Sequence, residues 1–270
     1  DIDAINFMRG TETGKRIMKC AADGVKKISL ELGGKSANII IDDCDIDAAI
    51  DGSLLGIFAG NGEQCLAGSR ILIQSSIYDE VVEKMVERTK NLRIGDPFED
   101  VEIGPLAFKT HHNRVLDFTT KAVNDGDEIL CGGGVPDAAD SGYFFEPVMA
   151  CAKSNSTRIC QEEIFGPFAA LIKFETLEEA IEMANDSDFG LVSYVWTQDI
   201  DNMMKFAQQV RAGTVWVNTA MSRDLRAPFG GYKLSGLGRD GLEESIHLFT
   251  EEKTVMIPAQ KLAFPKLGLG

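Results

Sequence analysis

The sequence predicts an α/β fold in which helices cover a mostly parallel sheet. Short apolar runs alternate along the chain with longer segments whose apolar residues recur at helical spacing. This alternation is typical of parallel strands joined by crossover helices. With 270 residues, of which 44% are apolar and 26% charged, the chain can bury a large core in one domain or in two smaller ones.

Each predicted element follows from its local pattern. Residues 1–18, DIDAINFMRGTETGKRIM, predict a strand, a glycine turn and a helix. The strands predicted after it are KKISLEL (26–32), ANIIID (37–42), SRILIQ (69–74), GPFAALIKF (166–174), LVSYVWT (191–197) and TVWVN (214–218). The predicted helices are DIDAAIDGSLLGIF (45–58), SIYDEVVEKMVERTKNLRIG (76–95), HHNRVLDFTTKAVNDG (111–126), TLEEAIEMAND (176–186) and DIDNMMKFAQQVRAG (199–213). In TLEEAIEMAND, Thr176 stands three residues before Glu179, which is the spacing of a capping box.

Two segments are predicted to lie outside the main pattern. CGGGVPDAADSGY (131–143) is rich in glycine and predicts an exposed loop. EKTVMIP (252–258) is predicted to form a C-terminal strand, followed by an exposed tail. The chain opens at Asp1 directly on a strand and helix that need a sheet to join, so we expect it to be part of a longer protein.

The charge balance argues against several kinds of partner. The net charge of −15 and pI of about 4.7 disfavour nucleic acid and anionic membranes, which both attract clustered Lys and Arg. No two of the six cysteines form a Cys-x-x-Cys motif, and the three histidines do not stand at the spacings of metal ligands. We therefore expect no bound metal. The sequence shows no signal peptide and no bilayer-length apolar run, so we expect a cytoplasmic protein with reduced thiols.

Three short stretches are candidates for chemistry. GLGRDG (236–241) matches a dinucleotide-binding fingerprint, but it follows the loop-like APFGGYKLS, so a glycine-rich turn is the better interpretation. In LELGGKS, Glu31 ends a predicted strand, where it could contact a ligand or simply face solvent. In NGEQCLAG, Cys65 lies among small residues that allow close backbone approach, unlike Cys20 in its apolar run. From the residues alone, Cys65 is as consistent with a buried thiol as with a nucleophile.

Taken together, five stretches resemble the aldehyde dehydrogenase superfamily. LELGGKSANIII, NGEQCLAGSR, EEIFGP, GTVWVN and PFGGYKLSGLGRDG occur in that family's order over nearly the whole chain. The resemblance implies that Cys65 is the catalytic thiol, that its backbone N–H stabilises the oxyanion, and that Glu31 is the general base for thioester hydrolysis. It also implies NAD or NADP as cofactor. The cofactor-binding positions that it implies are Gly10, Gly33, Glu163 and Phe165. Plain core packing is the alternative for Phe165.

The chain departs from that family in length, since family members are nearly twice as long. The resemblance implies a remnant of the nucleotide-binding domain at 1–30, a catalytic domain at 31–240, and a C-terminal helix, strand and tail at 241–270. INFMRGTETG resembles the pyrophosphate-facing turn of the family, but Arg9 and Gly10 replace the usual glycine and serine. We therefore expect most of the cofactor domain to be absent.

The resemblance also implies a substrate class. MSRDLRAPFGG (221–231) with NGEQC most resembles the hydroxymuconic and carboxymethyl-hydroxymuconate semialdehyde dehydrogenases. Arg223 or Arg226 could hold a substrate carboxylate through the planar fork of the guanidinium, with Asn218 also near the substrate. The alternative is a surface arginine paired with Asp224 or solvent.

Three functions remain open at this level. The first is oxidation of a small aldehyde by a protein that is a homodimer or homotetramer when full length. The second is a non-catalytic module that folds and associates through EKTVMIP. The third is cofactor-independent hydrolysis of activated esters by Cys65 and Glu31.

Overall fold

The structure is a computed structural model that describes residues 2–136 and 142–268. Three of its described helices begin at side-chain caps: Ile46–Phe58, Leu177–Asn185 and Ile200–Gln209. Asp45 accepts a hydrogen bond from Ala48 N (3.1 Å), and Thr176 accepts one from Glu179 N (3.3 Å). The helices within the described residues are α1 (Thr11–Ala22), α2 (Ile46–Phe58), α3 (Tyr78–Lys90), α4 (Lys109–Asp125), α5 (Arg158–Gln161), α6 (Leu177–Asn185), α7 (Ile200–Gln209) and α8 (Leu242–Phe249).

The strands form one large sheet and two small ones. They are β1 (Ala4–Met8), β2 (Lys27–Glu31), β3 (Ala37–Ile40), β4 (Arg70–Gln74), β5 (Glu128–Cys131), β6 (Val148–Cys151), β7 (Phe168–Phe174), β8 (Phe189–Gly190), β9 (Val192–Trp196), β10 (Thr214–Val217), β11 (Tyr232–Lys233) and β12 (Gly236–Leu237). The large sheet has the order β10-β9-β3-β4-β7-β6-β5, and every neighbouring pair is parallel except β5 with β6. The prediction of a mostly parallel α/β sheet is confirmed.

Helices cover both faces of the large sheet. Alternate residues of a strand point to opposite faces, so Ile39 packs with α4, α6 and α7 while Ile40 packs with α2 and α3. Both faces are therefore apolar, which explains why the central strands read as continuous apolar runs rather than alternating ones.

The three-stranded sheet joins the two ends of the chain. β1 and β2 are parallel, and β12 adds to β2 in the antiparallel direction, with Gly236 opposite Glu31. The C-terminal segment returns to this sheet, where Lys27 Nζ donates to Thr250 O (2.6 Å). The GLGRDG motif begins with β12, an antiparallel edge strand, rather than after the parallel strand that a dinucleotide-binding fingerprint requires.

Two predicted elements differ in the structure. The segment EKTVMIP forms no strand within the described residues; residues 251–258 are irregular and exposed, because their backbone has no neighbouring strand edge to pair with. APFGGYKLS is not all loop, since β11 lies within it and pairs with β8. The central part of CGGGVPDAADSGY, residues 137–141, lies outside the described residues.

Along the part of the chain that the structure describes, no helix is both long enough and apolar enough to cross a membrane.

Candidate active site

The candidate residues gather between the small sheet and the large one. Glu31 ends β2 at the carboxyl end of the small sheet, whereas Cys65 and Glu163 lie in the loops that lead into the amino ends of β4 and β7. A cavity of about 680 Å³ opens between these loops. Six of the nine predicted site residues line it: Gly10, Glu31, Gly33, Cys65, Glu163 and Phe165.

The loop that carries Cys65 is held by its neighbours. It follows α2 through a 3₁₀ turn, Ala59–Gly62, in which Asn61 has a left-handed backbone (φ +60°). The Asn61 side chain donates to Pro105 O (3.1 Å) and accepts from Gly104 N (2.9 Å). On the other side, a Cβ on Gly34 would lie only 2.2 Å from Cys65 O. Glycine at position 34 therefore allows the close contact of the two loops that fixes Cys65 beside the cavity.

The Cys65 thiol is partly buried and mostly protonated at neutral pH. Burial, followed by the charges of Glu163 and Glu31, raises the pKa of the thiol to about 11. Its own backbone N–H and the guanidinium of Arg223 act in the opposite direction on that pKa. A thiol of this kind needs a proton acceptor, or the approach of a cation, before it becomes a strong nucleophile.

Accessibility does not distinguish Cys65 in the way that the sequence suggested. Cys20 is exposed on α1, whereas Cys65 is partly buried. The apolar run around Cys20 does not bury it, because the buried residues of α1 are Gly14 and Ala21. Unselective alkylation therefore cannot identify the nucleophile in this chain.

The Glu31 carboxylate is buried and accepts no hydrogen bond from the described residues: the side chain is 1% exposed, and neither oxygen has a partner. Burial and the charge of Asp240 raise the pKa of Glu31 to about 8, against the opposing influence of Arg239 and Arg223. Such a carboxylate can accept a proton near neutral pH, which an ordinary solvated glutamate does poorly.

Glu163 is fixed against the glycine pair that follows Glu31. Its Oε1 accepts a hydrogen bond from Gly34 N (3.0 Å). A Cβ added to Gly33 would lie only 2.3 Å from Glu163 Oε2, so glycine at position 33 leaves room for the carboxylate. Burial raises the pKa of Glu163, while the Gly34 N–H and the charges of Arg114 and Lys35 lower it. The carboxylate is thus held at the cavity wall, close enough to Cys65 to raise the pKa of the thiol.

Phe165 is not a core residue. It is 38% exposed and lines the cavity, and its φ of +61° is a left-handed conformation that non-glycine residues rarely adopt. Gly10, the N-cap of α1, also lines the cavity, and a Cβ there would meet no atom of the described residues within 4 Å. The cavity therefore has an aromatic wall and open space beside a helix N-terminus.

The three predicted substrate residues do not line this cavity. Arg223 lies nearby, with its guanidinium 3.9 Å from the centre of the Phe229 ring. Arg226 is 82% exposed and pairs with Asp224. Asn218 follows β10, where its side chain donates to Thr197 O (2.8 Å) and accepts from Thr197 N (3.0 Å).

Several residues at the site carry no local sequence signal. The Tyr194 hydroxyl donates a hydrogen bond to the carbonyl oxygen of Leu66, the residue after Cys65 (2.7 Å). The Tyr194 ring packs on Trp216. His111 and Arg114 of α4 bond to the backbone of the Phe165 loop. In the described residues, no group of three or more His, Cys, Asp and Glu side chains is placed to hold a metal ion.

Chemically, this arrangement can form a covalent adduct at a thiol and hydrolyse it with a nearby base. Comparison with known proteins identifies the family. Residues 1–255 match the sequence profile of the aldehyde dehydrogenase family, and the chain belongs to that family.

Individual relatives agree with this assignment. The chain is 41% identical over 259 residues to the mitochondrial aldehyde dehydrogenase of Homo sapiens, covering 95% of this chain and 50% of that protein. The aldehyde dehydrogenase of Bacillus cereus, in a structure with NAD⁺, superposes with a TM-score of 0.93 at 39% identity, covering 96% and 52% of the two chains. For the betaine aldehyde dehydrogenase of Staphylococcus aureus with NAD⁺, the TM-score is 0.89 at 43% identity, covering 91% and 49%. The chain thus spans about half the length of the relatives it matches.

Proposed function

We propose that this chain carries the catalytic centre of an NAD- or NADP-dependent aldehyde dehydrogenase that oxidises a small aldehyde to the carboxylic acid. The observation that supports the proposal best is that the Cys65 thiol and the buried, uncompensated Glu31 carboxylate face one cavity. Covalent capture by a thiol and hydrolysis by a general base are the two protein-borne steps of such an oxidation.

In this mechanism the Cys65 thiol loses its proton to solvent, and Sγ attacks the aldehyde carbon and forms a C–S bond while the carbonyl π bond opens onto oxygen. The negative charge that develops on the aldehyde oxygen is stabilised by the Cys65 backbone N–H. Loss of hydride from the same carbon leaves a thioester on Cys65. Glu31 then takes a proton from water as the water attacks the thioester carbonyl, which releases the acid and restores the thiol.

A nicotinamide dinucleotide would supply the hydride acceptor, and the residues present fit its binding. The buried Glu163 carboxylate could accept from ribose hydroxyls. Phe165 offers a ring face beside Cys65, and the open space at Gly10 lies at the N-terminus of a 12-residue helix, which favours phosphate. The NAD⁺ complexes of the B. cereus and S. aureus relatives support this assignment.

Acylation of Cys65 tests the nucleophile. Mixing the chain with p-nitrophenyl acetate should release a rapid burst of about one p-nitrophenolate per chain, because acyl-enzyme accumulates when its hydrolysis is slower. Cys65→Ala should abolish the burst, whereas Cys20→Ala, which removes the exposed thiol, should not. A full burst in the Cys65→Ala variant would exclude Cys65 as nucleophile.

The full-length protein is needed to separate oxidation from hydrolysis, because this chain spans about half the length of its NAD⁺-bound relatives. With the full-length protein, aldehyde and NAD⁺ should together yield reduced nicotinamide, measured by its absorbance. A burst at Cys65 without any reduced nicotinamide would favour the cofactor-independent hydrolase. Absence of both would favour a module that only associates.

We further propose that the substrate is a carboxylated semialdehyde and that Arg223 holds its carboxylate. Arg223 stacks on Phe229, and its charge lowers the pKa of both Cys65 and Glu31, which supports a position beside the reacting groups. Arg226 already has Asp224 as its partner. Asn218 would then act on the substrate loop indirectly, since its amide is paired with Thr197.

Replacing Arg223 by alanine should therefore be selective. We expect acylation of Cys65 by mono-p-nitrophenyl succinate to slow roughly 10- to 100-fold more than acylation by neutral p-nitrophenyl butyrate, as charge-assisted hydrogen bonds imply. Arg223→Lys should recover only part of the loss, because an ammonium group lacks the planar fork. Arg226→Ala is the matched control and should affect both esters alike. Equal losses on both esters in Arg223→Ala would point to loop packing instead.

We also propose that copies of the full-length protein assemble into a homodimer or homotetramer, in the cytoplasm. The C-terminal segment exposes Val255, Met256, Ile257 and Phe264 by 71–88%. Contiguous exposed apolar side chains of this kind are typical of a surface that is covered in an assembled protein.

A further inference from the structure

Helix α4 holds three successive backbone carbonyls of the loop that carries Phe165. Arg114 donates to the carbonyl oxygens of Glu163 and Ile164 through its two terminal nitrogens. His111 Nε2 lies 2.7 Å from Phe165 O. Because a carbonyl only accepts, His111 must carry its proton on Nε2 to make this bond.

The three carbonyls belong to Phe165, whose backbone is strained, and to the two residues before it. Phe165 has a φ of +61°, and a left-handed conformation at a bulky side chain persists only when its surroundings enforce it. The ring of His111 also meets the Phe165 ring edge to face, with 6.1 Å between their centres. Arg114 is itself fixed, since its guanidinium lies 5.2 Å from the centre of the Phe118 ring.

We infer that His111 and Arg114 are positioning residues, which hold the Phe165 backbone in its left-handed conformation and thereby keep the Phe165 ring at the wall of the Cys65 cavity. They need not touch a substrate to do this. Without them the backbone at position 165 relaxes to a negative φ, and the direction of the Cα–Cβ bond changes with it. The contact of Phe165 with nicotinamide rests on the proposed function, but the hold of α4 on the loop does not.

The helix supplies its own control. His112 stands next to His111, is equally buried at 9% exposure, and likewise bonds to a backbone carbonyl, that of Phe144 (2.8 Å). Among the described residues, no hydrogen bond joins His112 to the Phe165 loop. A general weakening of α4 would therefore follow loss of either histidine, whereas loss of positioning would follow only that of His111.

The experiment uses the full 270-residue chain with para-fluorophenylalanine at position 165, measured by fluorine NMR without nucleotide. In His111→Ala and in Arg114→Met, we expect the resonance to move to that of a solvent-exposed ring. Amide exchange of Phe168, whose N–H donates to Gly166 O, should become roughly 10-fold faster as the loop loosens, the size that loss of one hydrogen bond implies. His112→Ala should leave both measurements unchanged. His111→Gln, which keeps an N–H donor, should restore most of the original resonance.

Two results would overturn the inference. One is an unchanged resonance in both His111→Ala and Arg114→Met; the other is an equal change in His112→Ala. If a truncated variant fails to fold, Arg114→Lys carries the test, because a lysine keeps the charge but does not reproduce the planar fork that bonds both carbonyls. An original resonance in folded Arg114→Lys would then overturn the role of Arg114.

A separate addition of NAD⁺ to the unaltered chain distinguishes this inference from the proposed function. A further shift of the fluorine resonance is expected if nicotinamide binds beside Phe165. No shift would count against cofactor binding at this wall. The effect of the substitutions would still stand, since it is measured before nucleotide is added.

Discussion

Replacing Glu31 by glutamine should slow hydrolysis of the Cys65 thioester by about 10²–10⁴-fold, the usual contribution of a general base. Glutamine has nearly the same shape as glutamate, so the change removes the base with little disturbance of the packing. Formation of the acyl-enzyme should continue and even become slightly faster, because the charge of Glu31 raises the pKa of Cys65. The measurement is a burst of p-nitrophenolate of normal size followed by a slowed steady state.

The pH dependence of the two steps gives the control. Burial raises the pKa of Glu31 to about 8, and only its ionised form accepts a proton. The rate of thioester hydrolysis should therefore rise by about tenfold per pH unit up to roughly pH 8 and level off above it. Acylation should continue to rise toward the pKa of Cys65, about 11. In Glu31→Gln the lower inflection should vanish; its persistence would assign the base to another group.

Replacing Gly34 by alanine should slow acylation of Cys65 by about 10²-fold, the cost of misplacing a reacting group by roughly 1 Å. The added Cβ would lie 2.2 Å from Cys65 O, and that atom belongs to the backbone rather than to a flexible side chain. The loop that carries the thiol must therefore shift. The burst rate with p-nitrophenyl acetate measures the effect, and thermal unfolding shows separately whether the fold survives.

Gly10→Ala is the matched control for this substitution. A Cβ at Gly10 would meet no described atom within 4 Å, although Gly10 lines the same cavity. Its acylation rate should stay normal. A folded Gly34→Ala chain that acylates at the normal rate would show that the contact of the two loops does not fix Cys65.

The sequence predicts the layers of this fold better than it predicts the surroundings of the site. Periodicity sufficed for the central parallel strands, because they are apolar throughout and the helices between them are amphipathic. It missed β5 and β6 at one edge of the large sheet. The prediction of a strand failed for EKTVMIP, because its backbone meets no strand edge among the described residues. A run of apolar residues, such as the one around Cys20, does not say which side of a helix is covered, and Cys20 is exposed.

The candidate nucleophile and base were accessible to sequence reasoning because each lies within a compact, glycine-rich motif. His111 and Arg114 were not, because the carbonyls they hold are about fifty residues further along the chain. Tyr194 contacts Leu66 across 128 residues of sequence. Contacts of this kind depend on how strands and helices stack, and one sequence carries no local trace of them.

The position of the site between two sheets limits how the chain can vary in length. Glu31 ends β2 in the small sheet, and β3 in the large sheet starts after only five more residues. Residues 32–36 between them are all buried. A residue inserted there would either draw Glu31 away from Cys65 or slip β3 by one position, which would exchange the side chains of its two faces. This short span should therefore tolerate neither insertion nor deletion.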